Sequence, residues 1–358
     1  MSARARGVCV FWLSLSCGSP PPAAYVRETE QAQSSRRQGQ HALAAEHYER
    51  AAQLADKPRD AEEARYRAAD SYARAGDTRR AEAIYSALAN QAPDAERRTR
   101  ADYALAELWR RTGREAEAEA RIAAAIRRDP NSGLARQALQ QHVSYLRQHG
   151  GSEQALAYLM AEERALGTTE LGETLVYLRA RELDQAGRDA DARDAYLECA
   201  RRFPYPRGAY WDDALFRASE KELALGAPRR AIAHLERMVA EQESAVMTGS
   251  YERGRYAEAQ KRIGEIYRDA LGDDVSARRA LRLVWQKHPK SRLADDALFE
   301  EALLAKKAND DAGTCEPLAI LLRELPDSRY AGCAHLLCGS LAAKGDCHDY
   351  IKRAAGLP

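Results

Sequence analysis

Small and apolar residues recur along the chain at three- and four-residue steps, broken at a fixed interval by glycine. Gly39, Gly76, Gly113, Gly150 and Gly187 follow one another every 37 residues. Around Gly76 stand Ala69, Tyr72, Ala81, Tyr85 and Pro93; the same offsets around Gly113 hold Ala106, Trp109, Ala118, Ile122 and Pro130. Around Gly187 they hold Ala180, Leu183, Ala192, Tyr196 and Pro204. Gly150 keeps Val143, Leu146, Ala155 and Leu159, with Gly167 in the place of proline, and Gly39 keeps Ala44 and Tyr48. Steps of three and four are the spacing of a helix face. Glycine can take the left-handed conformation that ends a helix. The alanine after it allows close approach of two helices, the larger residue four positions on fills the gap, and proline cannot continue the second helix.

Each period therefore predicts a helical hairpin. About nine are expected, at 25–59, 62–97, 99–133, 135–170, 172–207, 209–243, 255–292, 293–327 and 329–355. The segment 241–254 reads as a longer connection, so the expected organisation is an array over 25–243, a connecting loop at 244–254 and a second array over 255–358. Trp211-Asp212-Asp213-Ala214-Leu215-Phe216 and Ala294-Asp295-Asp296-Ala297-Leu298-Phe299 are nearly the same text, so the repeat persists to the end. Their paired carboxylates fall at helix starts, where negative charge meets the helix dipole favourably, and this outweighs a metal or acid–base reading. Ser291 and Ser328 are placed to cap the helices that follow.

The small–aromatic–Gly–Ala–aromatic–Pro framework resembles the tetratricopeptide repeat, with a step of 37 in place of the family's usual 34. The resemblance implies an all-α fold, a right-handed superhelix (α-solenoid) in which the first helix of each hairpin lines a concave surface. It also implies binding of a protein or peptide partner. On those first helices, Tyr66, Tyr103, Gln140, Tyr177 and Phe216 share one offset, and Arg74, Arg110, Arg111 and Arg147 lie nearby. Such a row could grip an extended peptide by stacking and charge-assisted hydrogen bonds. The alternative is that the aromatic rings pack onto the adjoining hairpin and the arginines are solvated.

Charge narrows the partners. Fifty-five Lys and Arg against 54 Asp and Glu leave a net charge of +1, which excludes nucleic-acid binding by bulk positive charge. An apolar fraction of 45% argues against wholesale disorder.

Two arginines and no acid in residues 1–7 precede the short apolar run Val8–Ser16 and then Cys17. This run is far shorter than the roughly 20 residues of a membrane span. The order matches a secretory signal. It resembles a bacterial lipoprotein leader over 1–17, with Leu15 two residues rather than three before a Cys17 that would carry lipid. Residues 18–24, rich in proline, would be the tether. The layout resembles envelope lipoproteins of the BamD type and periplasmic repeat proteins of the Tol-Pal system. The expected address is the periplasmic side of the envelope, anchored at the outer membrane.

Cys315, Cys333, Cys338 and Cys347 cluster near the end. In an exported chain they read as two disulfides, with three connectivities open. Antiparallel packing about the Pro326 turn favours Cys315 with Cys338, leaving Cys333 with Cys347. The rivals are zinc, with His335 and His348 nearby, and free thiols in a cytosolic protein. No metalloprotease, nucleophile-elbow, phosphate-loop or dinucleotide motif is present, and no cofactor is expected. The expectation is a non-catalytic scaffold. The alternatives are a cytosolic adaptor with a misassigned start, and the superhelical remnant of a peptidoglycan-lytic enzyme.

Overall fold

The computed structural model describes residues 20–241, 243–245, 249–251 and 254–357. The leader and Cys17 lie outside them. The helix α1 begins at Ala23, so the last two residues of the expected tether, Ala23 and Ala24, are helical.

Helices α1 (Ala23–Arg37) to α6 (Glu115–Arg128) form three hairpins: α1 with α2 (His41–Leu54), α3 (Pro58–Ala75) with α4 (Thr78–Gln91), and α5 (Ala95–Arg111) with α6. Helix α7 (Ala135–Leu166) is two helices joined at Gly151. Three further pairs follow: α8 (Gly172–Gln185) with α9 (Asp189–Arg202), α10 (Trp211–Ala224) with α11 (Pro228–Ala240), and α12 (Tyr256–Asp269) with α13 (Asp274–Lys287). Helices α14 (Ala294–Lys307) and α15 (Asp311–Glu324) complete eight helix pairs among the described residues. The fold is an all-α solenoid.

The fixed offsets explain why. Ala81, Ala118, Ala155, Ala192, Ala231 and Ala277 are fully buried, and Tyr85, Ile122, Leu159, Tyr196, Leu235 and Leu281 four positions on are all buried. Burying one such large side chain contributes about 1.5–3 kcal/mol, and each hairpin supplies only part of the cover. The helices end as expected at Gly76, whose φ of 84° lets Asp77 N–H close back on Tyr72 O at 2.9 Å. In the fourth repeat the left-handed residue is Gly151 (φ 76°), not Gly150. Asp77, Asp94, Asp273 and Asp310 cap α4, α5, α13 and α15 through their side chains. Ser291 and Ser328 instead accept from Leu293 N–H and Tyr330 N–H at 3.2 Å, so they close the turns ahead of the next elements rather than cap helices.

Two compact units emerge, 1–142 and 143–358, dividing within α7. The expected joint at 244–254 carries instead a small antiparallel pair, β1 (Glu243–Ala245) and β2 (Gly249–Tyr251), with Glu243 opposite Tyr251. The core does not break there: Met238 and Val239 of α11 share one cluster with Tyr256, Ala259 and Ile263 of α12. Tyr256 also donates to Glu241 O at 2.5 Å.

The ninth unit is abbreviated. In place of a full hairpin, a 3-10 turn (Ala331–Cys333) leads into α16 (Ala334–Leu337) and, after a loop, α17 (Asp349–Ala355). Disulfides join Cys315 to Cys338 and Cys333 to Cys347, with Cα separations of 5.2 and 4.5 Å. The returning chain crosses so close to Gly332 that a Cβ there would stand 2.3 Å from Asp346 O. Leu337, Cys338 and Ile351 thereby cover Leu298, Phe299, Leu318 and Leu321, the face that a further hairpin would otherwise bury.

Candidate functional site

In the first unit, the first helices α3 and α5 bring Tyr66, Tyr103 and Arg110 onto one cleft of about 310 Å³. Arg100, Glu107 and Gln137 line it too. Tyr66 packs edge-on against Tyr85, ring centroids 5.4 Å apart, and the guanidinium of Arg100 covers its other side. Arg100 is aimed by Glu63, which accepts from it at 2.7 Å and from Arg67 at 2.7 Å. Burial pushes the Glu63 carboxyl up, but these two cations outweigh it and hold it below the usual range. Behind the wall, Arg110 donates to Glu119, whose other oxygen meets His142 Nδ1 at 2.6 Å. Glu119 is likewise pushed up by burial and brought below the usual range by His142 and Arg110. The cleft is thus a rigid arrangement of aromatic faces and pre-aimed guanidinium groups.

The other groove candidates divide. Gln140 is exposed on α7. Arg74 and Arg111 are exposed and pair within their own helices, with Asp70 and Glu107. In the second unit, Tyr177 is only 6% exposed: it stacks on Tyr210 with centroids 4.2 Å apart, and its hydroxyl donates to Asp213. Burial, reinforced by Asp213, pushes its phenol up to about 12. Phe216 is buried with Arg255 over its ring at 4.8 Å, and Arg147 donates to Glu182 at 3.1 Å. The packing alternative describes Tyr177; Phe216 is buried too but lines a cleft of about 430 Å³ with Lys261, Arg262 and Glu265, and Tyr66 and Tyr103 reach the cleft of the first unit. The offset rule missed Arg100; its signal was a position three before Tyr103, on the same helix face.

The paired carboxylates serve structure. Asp213 also takes Arg217 at 2.6 Å and Arg255 at 3.1 Å, while Asp296 takes Arg329 at 2.7 Å and Tyr330 at 3.0 Å. The C-terminal cysteines are committed to disulfides, which leaves no thiolate there for zinc. Among the described residues no cluster of three His, Cys, Asp or Glu could hold a metal. The buried thiol of Cys199 is pushed up to about 12 by burial, the reverse of what a nucleophile needs. No described helix is long and apolar enough to cross a membrane.

No curated protein matches the chain. Solved structures similar to it include the C-terminal part of a TPR repeat-containing protein from Cytophaga hutchinsonii, at 14% identity and a TM-score of 0.44, covering 75% of this chain and 99% of that one. Another is PilF of Pseudomonas aeruginosa, at 17% identity and a TM-score of 0.38, covering 64% and 93%. A third is PilW, described as a widely conserved type IV pilus biogenesis factor, at 19% identity and a TM-score of 0.37, covering 64% and 94%. The family model for the tetratricopeptide repeat matches residues 63–95 and 258–291. Those segments take in α4 and α13 with most of the helices before them, one repeat from each compact unit. Those two segments of the chain are tetratricopeptide repeats.

Proposed function

We propose that this protein is a non-catalytic scaffold that holds a protein or peptide partner at the periplasmic side of a bacterial cell envelope, anchored through a lipidated Cys17. The observation that carries the binding role is the cleft of Tyr66, Arg100, Tyr103 and Arg110. Its rings and guanidinium groups are held in place before any partner arrives, which lowers the entropic cost of binding. The address rests on the order of charge, apolar run and Cys17 in the leader, and on the two terminal disulfides, which suit an oxidising compartment.

Two measurements test the two halves. Crosslinking pull-down from envelope extracts should recover a specific partner with the native chain and lose it with Tyr66→Ala/Tyr103→Ala; equal recovery rejects the cleft. Cys17→Ser should move the protein from the membrane fraction to the soluble one. Alkylation of denatured, unreduced protein should spare Cys315, Cys333, Cys338 and Cys347, and four modified thiols there would place the chain in a reducing compartment.

A further inference from the structure

The second unit carries a larger cleft built from different elements. It measures about 530 Å³ and lies along α13, between Val275, Arg278, Arg279, Arg282 and the carboxylates of Glu301 and Glu316. The second helices α13 and α15 form most of it, so it is separate from the Tyr66 cleft, which is built mainly on first helices of the other unit.

Three guanidinium groups face two carboxylates and the amide of Gln286 in this cleft. Both carboxylates are already engaged by Arg282: Nε donates to Glu301 at 2.7 Å, and the two terminal nitrogens grip Glu316 at 2.9 and 3.2 Å. Arg278 is pinned at one terminal nitrogen by Asp310, at 2.8 Å. Gly313 leaves room for that pair, since a Cβ there would fall 2.1 Å from Arg278 Nη2 and both side chains would have to shift. Arg278 Nε is buried behind the cleft surface and has no acceptor. Arg279, one residue on, is exposed and has no ion pair among the described residues. Arg282 holds both acids, while Arg279 is left without one. An exposed guanidinium without an ion pair calls for an anion, most favourably a planar carboxylate.

Apolar surface lies beside Arg279 in the same cleft. Val275, 60% exposed, is the most exposed large apolar side chain among the described residues. Leu283 separates this cleft from an adjoining one of about 390 Å³, which shares Arg279 and is floored by Val239, Ile263 and Tyr267. The adjoining cleft carries one exposed residue of each sign, Glu236 and Lys287, so it adds apolar area without changing the charge preference.

We infer that the outward face of α13 is a second docking surface, which takes an acidic segment of a partner protein. One carboxylate of that segment meets Arg279, and an adjacent aliphatic side chain covers Val275 and Leu283. The inference does not depend on the Tyr66 cleft. A chain with both surfaces holds two segments at once.

The test uses the full chain and a short fluorescein-labelled peptide alternating glutamate with leucine, followed by fluorescence anisotropy. Saturable binding is expected below about 1 mM. Arg279→Glu should weaken it at least about tenfold, and Arg279→Lys by less, because lysine keeps the charge and loses the fork. Tyr66→Ala/Tyr103→Ala should leave it unchanged, and the same peptide with lysine for glutamate should not bind. Arg279 makes no ion pair, so matching thermal melts are expected for its variants; Val275→Asp, which repels the peptide from the same face, is the independent check. No saturable binding, or binding that Arg279→Glu leaves intact, overturns the inference. So does loss of binding in the Tyr66/Tyr103 variant alone, which would place the peptide in the first unit. A dimer in sedimentation that Arg279→Glu dissociates would assign the face to a second copy and overturn it as well.

Discussion

The guanidinium of Arg100 lies over the ring of Tyr66, with Cζ 3.7 Å from the ring centroid, and its Nη1 reaches Glu63 at 2.7 Å. One side chain of α5 therefore ties down both an aromatic face and a carboxylate of α3. Arg100→Ala should cost about 1 kcal/mol, the sum expected for one cation–π contact and one half-exposed ion pair. Arg100→Lys should recover only part of it, because an ammonium cannot lie flat on the ring. Urea unfolding of the three proteins measures the difference.

The two glycines in the middle of α7 should respond in opposite ways. Gly151 has φ 76°, so Gly151→Ala is strained and should destabilise by about 1–2 kcal/mol. Gly150 is helical, and an added Cβ would meet only the flexible side chain of Gln154. Gly150→Ala should therefore lie within about 0.5 kcal/mol of the native chain, because a small helical gain offsets the displaced amide. Equal losses in both would mean that the turn is misplaced.

Asp102 is fully buried and takes Arg121 at 2.5 Å on one oxygen and Arg128 on the other. Asp102→Ala should cost about 3 kcal/mol, since it strips two guanidinium groups of their shared acceptor inside the α5–α6 hairpin. Arg121→Ala should cost about 1 kcal/mol, because Arg121 is 25% exposed and Arg128 still satisfies the carboxylate. Denaturant midpoints with an unchanged slope would report these as losses of stability alone.

Burial holds the imidazole of His234 below its ordinary value; the nearby Glu222 pulls it up, and Arg237 and Arg230 add to the downward push. The folded chain therefore binds this proton less readily than the unfolded chain. The His234 contribution is complete above about pH 6.5 and is lost as pH falls from there through the folded value. Over that window the native chain should lose stability more steeply than His234→Gln. Parallel pH profiles of the two would remove His234 as the cause.

Much of the fold can be read from the 37-residue step because burial at a helix–helix seam selects residue size directly: Ala118 and Ile122 or Ala192 and Tyr196 must be small and large for the hairpin to close. Other features leave no such mark. Gly150 and Gly151 are the same residue type, so spacing alone picks the wrong one as the turn. Tyr177 shares its offset with Tyr66, yet Tyr210 covers its ring from just ahead of α10, outside the repeating framework. The ninth unit departs from the pattern: a crossing chain over Gly332 does there what a whole helix does elsewhere. Arg100 was overlooked for a related reason: guanidinium positions depend on which acid they find one repeat away, and those acids keep no fixed offset.

That last point bears on how such a chain can change over time. Glu62 and Glu63 reach Arg97 and Arg100, 35 and 37 positions on, and Glu220 reaches Arg262, 42 positions on. Cutting out 95–131 would slide Leu134 and Gln137 into the places of Arg97 and Arg100, taking from Glu62 its arginine and leaving Glu63 with Arg67 alone. The modules look interchangeable in outline, but each is keyed to its neighbour like a numbered stone in an arch. Losing or duplicating one in recombination would misfit the joints, so this array is expected to diversify by point substitution within a settled order.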